Sequence, residues 1–242
     1  MLSFFGREAV QKVTAPLGRA LVGTGLTPDA VTLIGTAGSI TAAVTLFPSG
    51  HLFWGTIAIW LFVMFDMLDG AMARARGGGT KYGAVLDATC DRVADGAIFA
   101  GLAWWGVYHE GSKSLLIATL ICLVTSQVIS YAKARAEASG LSADGGLIER
   151  PDRLVIVLIG TGLTGIAGYW GVDWLEWAVY VAMWLLAAAS IVTVFQRVLA
   201  VRRSPGARDV ISTQRPASDG TENAATDGTE NATTDGTENA PS

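Results

Sequence analysis

Four aspartates stand at fixed intervals in DMLDGAMARARGGGTKYGAVLDATCD, which runs from Asp66 to Asp91. Asp66 and Asp69 are three residues apart and Asp87 and Asp91 four apart, spacings that put each pair on one face of a helix. A turn through ARARGGGTKYG folds the two helices into an antiparallel pair and brings both carboxylate pairs toward one point. Two unit charges 4 Å apart repel by about 4 kcal/mol at an effective dielectric of 20, so such a cluster needs compensation. Arg74 and Arg92 can neutralise part of it, with the remaining carboxylates reaching water. Divalent cations account for it more fully. Hard oxygen ligands suit Mg2+ or Mn2+, and two such ions balance four carboxylates. A two-metal site stabilises the attacking and leaving oxygens of a phosphoryl displacement. Gly70, directly after an aspartate, lets a phosphate or nucleotide approach the backbone, and Gly83, one turn before Asp87, clears the same face. Arg74 can hold a pyrophosphate oxygen bidentately. Taken singly, either glycine also serves simply to pack one membrane helix on another.

The elements that position these residues are apolar. Of 242 residues, 51% are hydrophobic and 16% charged, and the mean hydropathy is +0.42, which points to a membrane protein. Hydropathy marks six stretches approaching the roughly 20 residues a helical span needs: Ala30–Phe47, Leu52–Ala75, Ala84–Tyr108, Leu115–Ala138, Leu154–Tyr169 and Trp174–Val198. The expected fold is therefore all-α, with six transmembrane helices over residues 27–203. Residues 1–26 read as an amphipathic juxtamembrane helix lying in the headgroups, with no signal core to remove. Trp170, Trp174 and Trp177 mark an interfacial aromatic belt. Cys90 and Cys122 sit in apolar runs as small buried residues, and His51 and His109 fall in loops away from the acidic cluster.

Charge orients the bundle. Of 17 basic residues, fifteen fall on the side shared by both termini and the loops near residues 72–84 and 133–153. Lys113 alone lies on the other side, and Arg92 lies within a span. The positive-inside rule makes the rich side cytoplasmic, and the aspartates sit at that end. From Ser218 onward the chain has six acidic residues and no basic ones, and it repeats Asp-Gly-Thr-Glu-Asn at Asp219, Asp227 and Asp235. Without large apolar side chains, the segment 204–242 reads as a disordered acidic tail.

The stretch from Asp66 to Asp91 reads D-x2-D-G-x2-A-R-x8-G-x3-D-x3-D without deviation, and this resembles the signature of the CDP-alcohol phosphotransferase (CDP-alcohol phosphatidyltransferase) family of membrane enzymes. The resemblance implies six spans from Thr27 to about Arg203. It also implies that Asp66, Asp69 and Asp87 are metal ligands and that Asp91 is both ligand and general base, with two Mg2+ (or Mn2+) ions. The donor would be CDP-diacylglycerol, with CMP leaving. Gly70, Arg74, Thr80 and Gly83 fall at donor-side positions, and LTPDAVT resembles a second donor element, adding Pro28, Asp29 and Thr32. Asp29 departs from the asparagine found in many members; an amide can donate a hydrogen bond where a carboxylate cannot, which leaves that contact open.

For the acceptor, SYAKARAEASGL and ERPDRLV hold Lys133, Arg135, Arg150 and Arg153, cations that suit a phosphorylated substrate or simply meet anionic headgroups. These segments resemble phosphatidylinositol phosphate synthases of the actinobacterial type. That implies inositol 3-phosphate as acceptor, with Lys133, Arg135 and Arg153 on its phosphate and Arg150 and Arg197 as further candidates. Glycerol-3-phosphate, another phosphorylated polyol, is the nearest alternative and would make a phosphatidylglycerophosphate synthase. A divalent-metal transporter is an alternative of another class, but the outer halves of the second and third spans carry no ionisable group until Tyr108. No nucleic-acid partner is expected; membrane lipid and a second copy of the chain, in a homodimer, are.

Overall fold

The computed structural model describes residues 16–18 and 20–210. Most of the expected juxtamembrane helix lies outside these residues, as does the tail from residue 211. Residues 16–18 and 20–23 are helical. Six long helices follow: α1 (Pro28–Leu46), α2 (Leu52–Ala75), α3 (Lys81–Tyr108), α4 (Lys113–Ala138), α5 (Arg150–Trp170) and α6 (Ala178–Arg203). No strand occurs among the described residues.

Local chemistry sets the helix starts. Thr27, Thr80 and Ser112 cap α1, α3 and α4, each side chain accepting a hydrogen bond from a backbone N–H of the first turn, which satisfies donors the helix leaves free. Hydropathy starts the fifth span at Leu154, but α5 begins at Arg150. Pro151 occupies its first turn, and the Asp152 carboxylate accepts from the Glu149 N–H at 3.1 Å. The sixth helix starts later than its apolar run: Asp173–Trp177 form a 3-10 turn, and the Thr164 hydroxyl accepts from the Val179 N–H at 3.0 Å. Trp170, Trp174 and Trp177 are all exposed there.

Five of these segments are long and apolar enough to cross a membrane: α1, α2, α4, α5 and Asp173–Arg203. The chain is a multi-pass membrane protein. The exception is α3, whose 28 residues include Lys81, Asp87, Asp91, Arg92 and Asp95.

The helices close into a ring in the order α1, α2, α5, α6, α4, α3. This differs from the hairpin expected of α2 and α3. The two do not pack along each other, because α1 lies against both. Close approach depends on missing side chains. A Cβ at Gly101 would come 2.3 Å from the Ala43 carbonyl oxygen, and one at Gly165 2.3 Å from the Phe53 nitrogen. The buried Thr56 and Thr161 hydroxyls, 2.9 Å apart, join α2 to α5. At the end of the ring away from the aspartates, the His109 ring lies 2.8 Å from the Pro48 carbonyl oxygen.

Candidate active site

Three carboxylates converge although α2 and α3 stand apart. Oxygens of Asp66, Asp87 and Asp91 all lie within 4.8 Å of one another. On the α1 side, Gly35 makes room, since a Cβ there would come 3.0 Å from the Asp66 Cβ. Asp66 Oδ1 is buried and has no hydrogen-bond partner among the described residues, and leaving a buried acceptor unpaired costs about 1–3 kcal/mol. Among the described residues no cation pairs with Asp66, Asp69 or Asp87. The bland account, neutralisation by Arg74 and Arg92, therefore extends only to Asp91, which has Arg92 at 3.9 Å. A divalent cation fits this donor set: hard carboxylate oxygens, close together, with an orphaned atom among them.

Asp69 is held differently. Its carboxylate accepts from the Thr32 hydroxyl and from the Gly70 N–H, so the buried Thr32 fixes its orientation. Asp69 and Asp87 face a cavity of about 450 Å³, which Thr27, Pro28, Asp29, Thr32, Gly70, Thr80 and Gly83 also line, a size typical of small-molecule sites. Two helix N-termini, those of α1 and α3, open onto it, and their free N–H groups and dipoles favour an anion. Gly70 borders open space, for a Cβ there would meet only Arg74 Nη1, at 3.4 Å. Gly83 lies against Asp29 and Thr80, with a Cβ 3.1 Å from an oxygen of each.

Six of the seven donor-side candidates thus share one cavity. Arg74 is not among its lining residues. Arg76 is, donating to the Leu26 carbonyl at 2.7 Å, together with Gly78 and Gly79. Arg76 occupies an unspecified position within the aspartate signature, in the turn between α2 and α3. Within that turn, Gly77 and Gly78 have φ of 94° and 142°, backbone that side chains disfavour.

The acceptor-side candidates do not gather as one set. Arg150 Nη2 lies 2.8 Å from Asp91 Oδ1, and its Nε donates to Asp95 Oδ1 at 3.3 Å. Arg153, only 2% exposed, lies 3.7 Å from Asp95, and its Nε and Nη2 have no hydrogen-bond partner among the described residues. Arg197 is buried, donates to the Ile129 carbonyl at 3.3 Å, and leaves its own Nε unpartnered. Lys133 pairs with Glu137 at 3.9 Å, and Arg135 is exposed.

A family model described as CDP-alcohol phosphatidyltransferase matches residues 25–195. The chain is 62% identical over 222 residues to the phosphatidylinositol phosphate synthase of Mycobacteroides abscessus, covering 92% of this chain and 98% of that protein. It is 46% identical over 218 residues to the protein of the same name from Corynebacterium glutamicum, covering 90% and 95%. Among solved structures, the Mycobacterium tuberculosis phosphatidylinositol phosphate synthase with CDP-DAG bound superposes with a TM-score of 0.78 at 59% identity, covering 83% of this chain and 99% of that one. The same enzyme in complex with manganese and citrate gives 0.77 at 60% identity, covering 82% and 93%.

Proposed function

The chain belongs to the CDP-alcohol phosphatidyltransferase family, and we propose that it moves a phosphatidyl group from CDP-diacylglycerol to inositol 3-phosphate, releasing CMP and phosphatidylinositol phosphate. The observation that carries this is the convergence of Asp66, Asp87 and Asp91 within 4.8 Å, beside a cavity walled by two capped helix N-termini.

In this account Asp66, Asp69, Asp87 and Asp91 hold two divalent ions, Mg2+ or Mn2+. Bound there, the ions supply neutralising charge at the phosphoryl oxygens and the leaving group. Thr32 keeps Asp69 aimed at its ion, as a hydrogen-bonded outer partner does in metal sites. The cavity seats the cytidine diphosphate: Pro28, Asp29, Thr80 and Gly83 line its walls, and Gly70 leaves the backbone open to the pyrophosphate. Arg74 reaches a phosphate oxygen from the rim. Asp91 takes the proton from an acceptor hydroxyl. That oxygen forms the new bond to the phosphorus carrying the diacylglycerol, and the anhydride bond to CMP breaks. A carboxylate is a weak base toward an alcohol, so positioning supplies much of the rate.

The acceptor assignment draws on the names of the relatives and on the buried N–H groups at Arg153 Nε and Nη2 and Arg197 Nε, which have no acceptor among the described residues. Those groups suit a phosphate, which takes several charge-assisted hydrogen bonds. Arg150, paired with Asp91 and Asp95, is a further candidate for that phosphate, as are Lys133 and Arg135 near the end of α4. We further propose that α3 is the sixth span, since 28 residues make about 42 Å of helix against a hydrocarbon core of about 30 Å. Its charged N-terminal half faces the site. Both termini and the site lie on the cytoplasmic side, the chain works as a homodimer, and residues 1–26 and 204–242 form the juxtamembrane helix and the solvated tail.

The test is CMP release by the purified protein given CDP-diacylglycerol, Mg2+ and one acceptor at a time. Release with inositol 3-phosphate, abolished by EDTA and restored by Mg2+ or Mn2+, is expected. Turnover with glycerol-3-phosphate and none with inositol 3-phosphate would overturn the acceptor assignment.

A further inference from the structure

Asp95 lies one turn beyond Asp91 on α3, outside the aspartate signature, and only 3% of it is exposed. Three guanidinium groups surround its carboxylate. Arg150 Nε donates to Oδ1 at 3.3 Å, and Oδ2 lies 3.7 Å from Arg153 Nη2 and 3.8 Å from Arg92 Nη2. A structural ion pair needs one cation for one carboxylate, because each further buried charge adds a desolvation cost. Here the cations exceed the need, and Arg92 and Arg153 keep buried N–H groups with no acceptor among the described residues. Once Asp91 is engaged by metal, Asp95 is the remaining anion among them, and the surplus positive charge matches a phosphate monoester. Arg150 and Arg153 both come from the first turn of α5, whereas Asp91 and Asp95 are both on α3. The carboxylate of Asp95 is therefore a tie between the helix with the proposed base and the helix with the proposed phosphate-binding arginines.

We propose that Asp95 is a positioning residue for the acceptor: it anchors Arg150 and Arg153 to α3, so that the acceptor phosphate is seated at a set distance from Asp91. This rests on the assignment of Arg150 and Arg153 to the acceptor phosphate. Misplacement of a reacting group by 1 Å can cost about 100-fold, which gives such an anchor its value.

The test is steady-state CMP release by purified variants with the two substrates varied separately. Asp95→Asn keeps the shape and removes the charge. It should raise the KM for inositol 3-phosphate about tenfold or more, the loss expected of one charge-assisted hydrogen bond, while the KM for CDP-diacylglycerol stays within about twofold. Asp95→Glu should recover part of the loss. Asp95→Asn combined with Arg153→Gln should lose less than the product of the two single losses, because the Asp95–Arg153 contact is counted in both, while the tie to Arg150 is lost only with Asp95. Equal rises in both KM values, a kcat/KM for inositol 3-phosphate within about twofold of the wild type, or additive losses in the double variant would each overturn the proposal. If Asp95→Asn does not fold, Asp95→Glu is judged by the same two KM values, and failure of both to fold makes Asp95 a folding residue and overturns it too. If the wild type turns over only glycerol-3-phosphate, inositol 3-phosphate fails as acceptor, and Asp95 is then judged on the KM for glycerol-3-phosphate.

Discussion

At the scale of single residues, the chemistry divides between groups whose spacing announces them and groups that only packing reveals. Asp91 is of the first kind. Asp91→Asn keeps the side chain's size but cannot accept the proton, so CMP release should fall about a thousandfold while CDP-diacylglycerol binding persists; full turnover in a purified assay would remove Asp91 from its role. Gly70→Ala tests the open face of the donor cavity. The new methyl would meet only Arg74 Nη1, at 3.4 Å, so the melting temperature should hold while the KM for CDP-diacylglycerol rises about tenfold. A lowered melting temperature with an unchanged KM would make Gly70 a packing residue instead. The two aspartate pairs were legible because their residues lie close together in sequence; Pro28, Asp29, Thr32 and Thr80 came from the family resemblance, and the structure puts them on one cavity. Gly35, Arg76 and the surroundings of Asp95 were not legible. Gly35 matters only because α1 presses on Asp66, and Asp95 gains two of its three partners, Arg150 and Arg153, from a helix that begins 55 residues later.

At the scale of helices, hydropathy found all six long helices, five of them long and apolar enough to cross a membrane, but not their ends or neighbours. It missed the first turn of α5, whose Arg150, Pro151, Asp152 and Arg153 are too polar to register, although a proline and an acidic cap announce a helix start. That turn holds the arginines next to the aspartates, so a boundary error of four residues fell on the proposed acceptor-binding groups. The hairpin expected of α2 and α3 also failed in an instructive way: adjacency in sequence suggested packing, but α1 lies against both, and their carboxylates still meet. Such close approach rests on small residues. Gly165→Val would drive a side chain into the backbone at Phe53, where a Cβ already comes within 2.3 Å. Overpacking of this kind costs about 1–3 kcal/mol, and thermal unfolding in detergent should show a drop of several degrees. An unchanged melting temperature would mean that α2 and α5 are not in contact there.

At the scale of the whole molecule, one bundle has to reconcile an apolar solvent with a charged reaction. The ring does so by confining most of its charge to α3 and to the helix ends around it, leaving the outer surface to apolar side chains and exposed tryptophans. The proposed orientation predicts that a cytoplasm-specific reporter fused after Arg208 is active and that the same reporter inserted at Glu110 is not; the reverse pattern would invert the bundle. The account as a whole stands on metal held by the aspartates. Anomalous diffraction from crystals soaked in Mn2+ with CDP-diacylglycerol tests this most directly. Peaks bounded by Asp66, Asp69, Asp87 and Asp91, beside the donor's pyrophosphate, are the predicted result. Donor in its cavity, with no manganese among those four carboxylates, would contradict it.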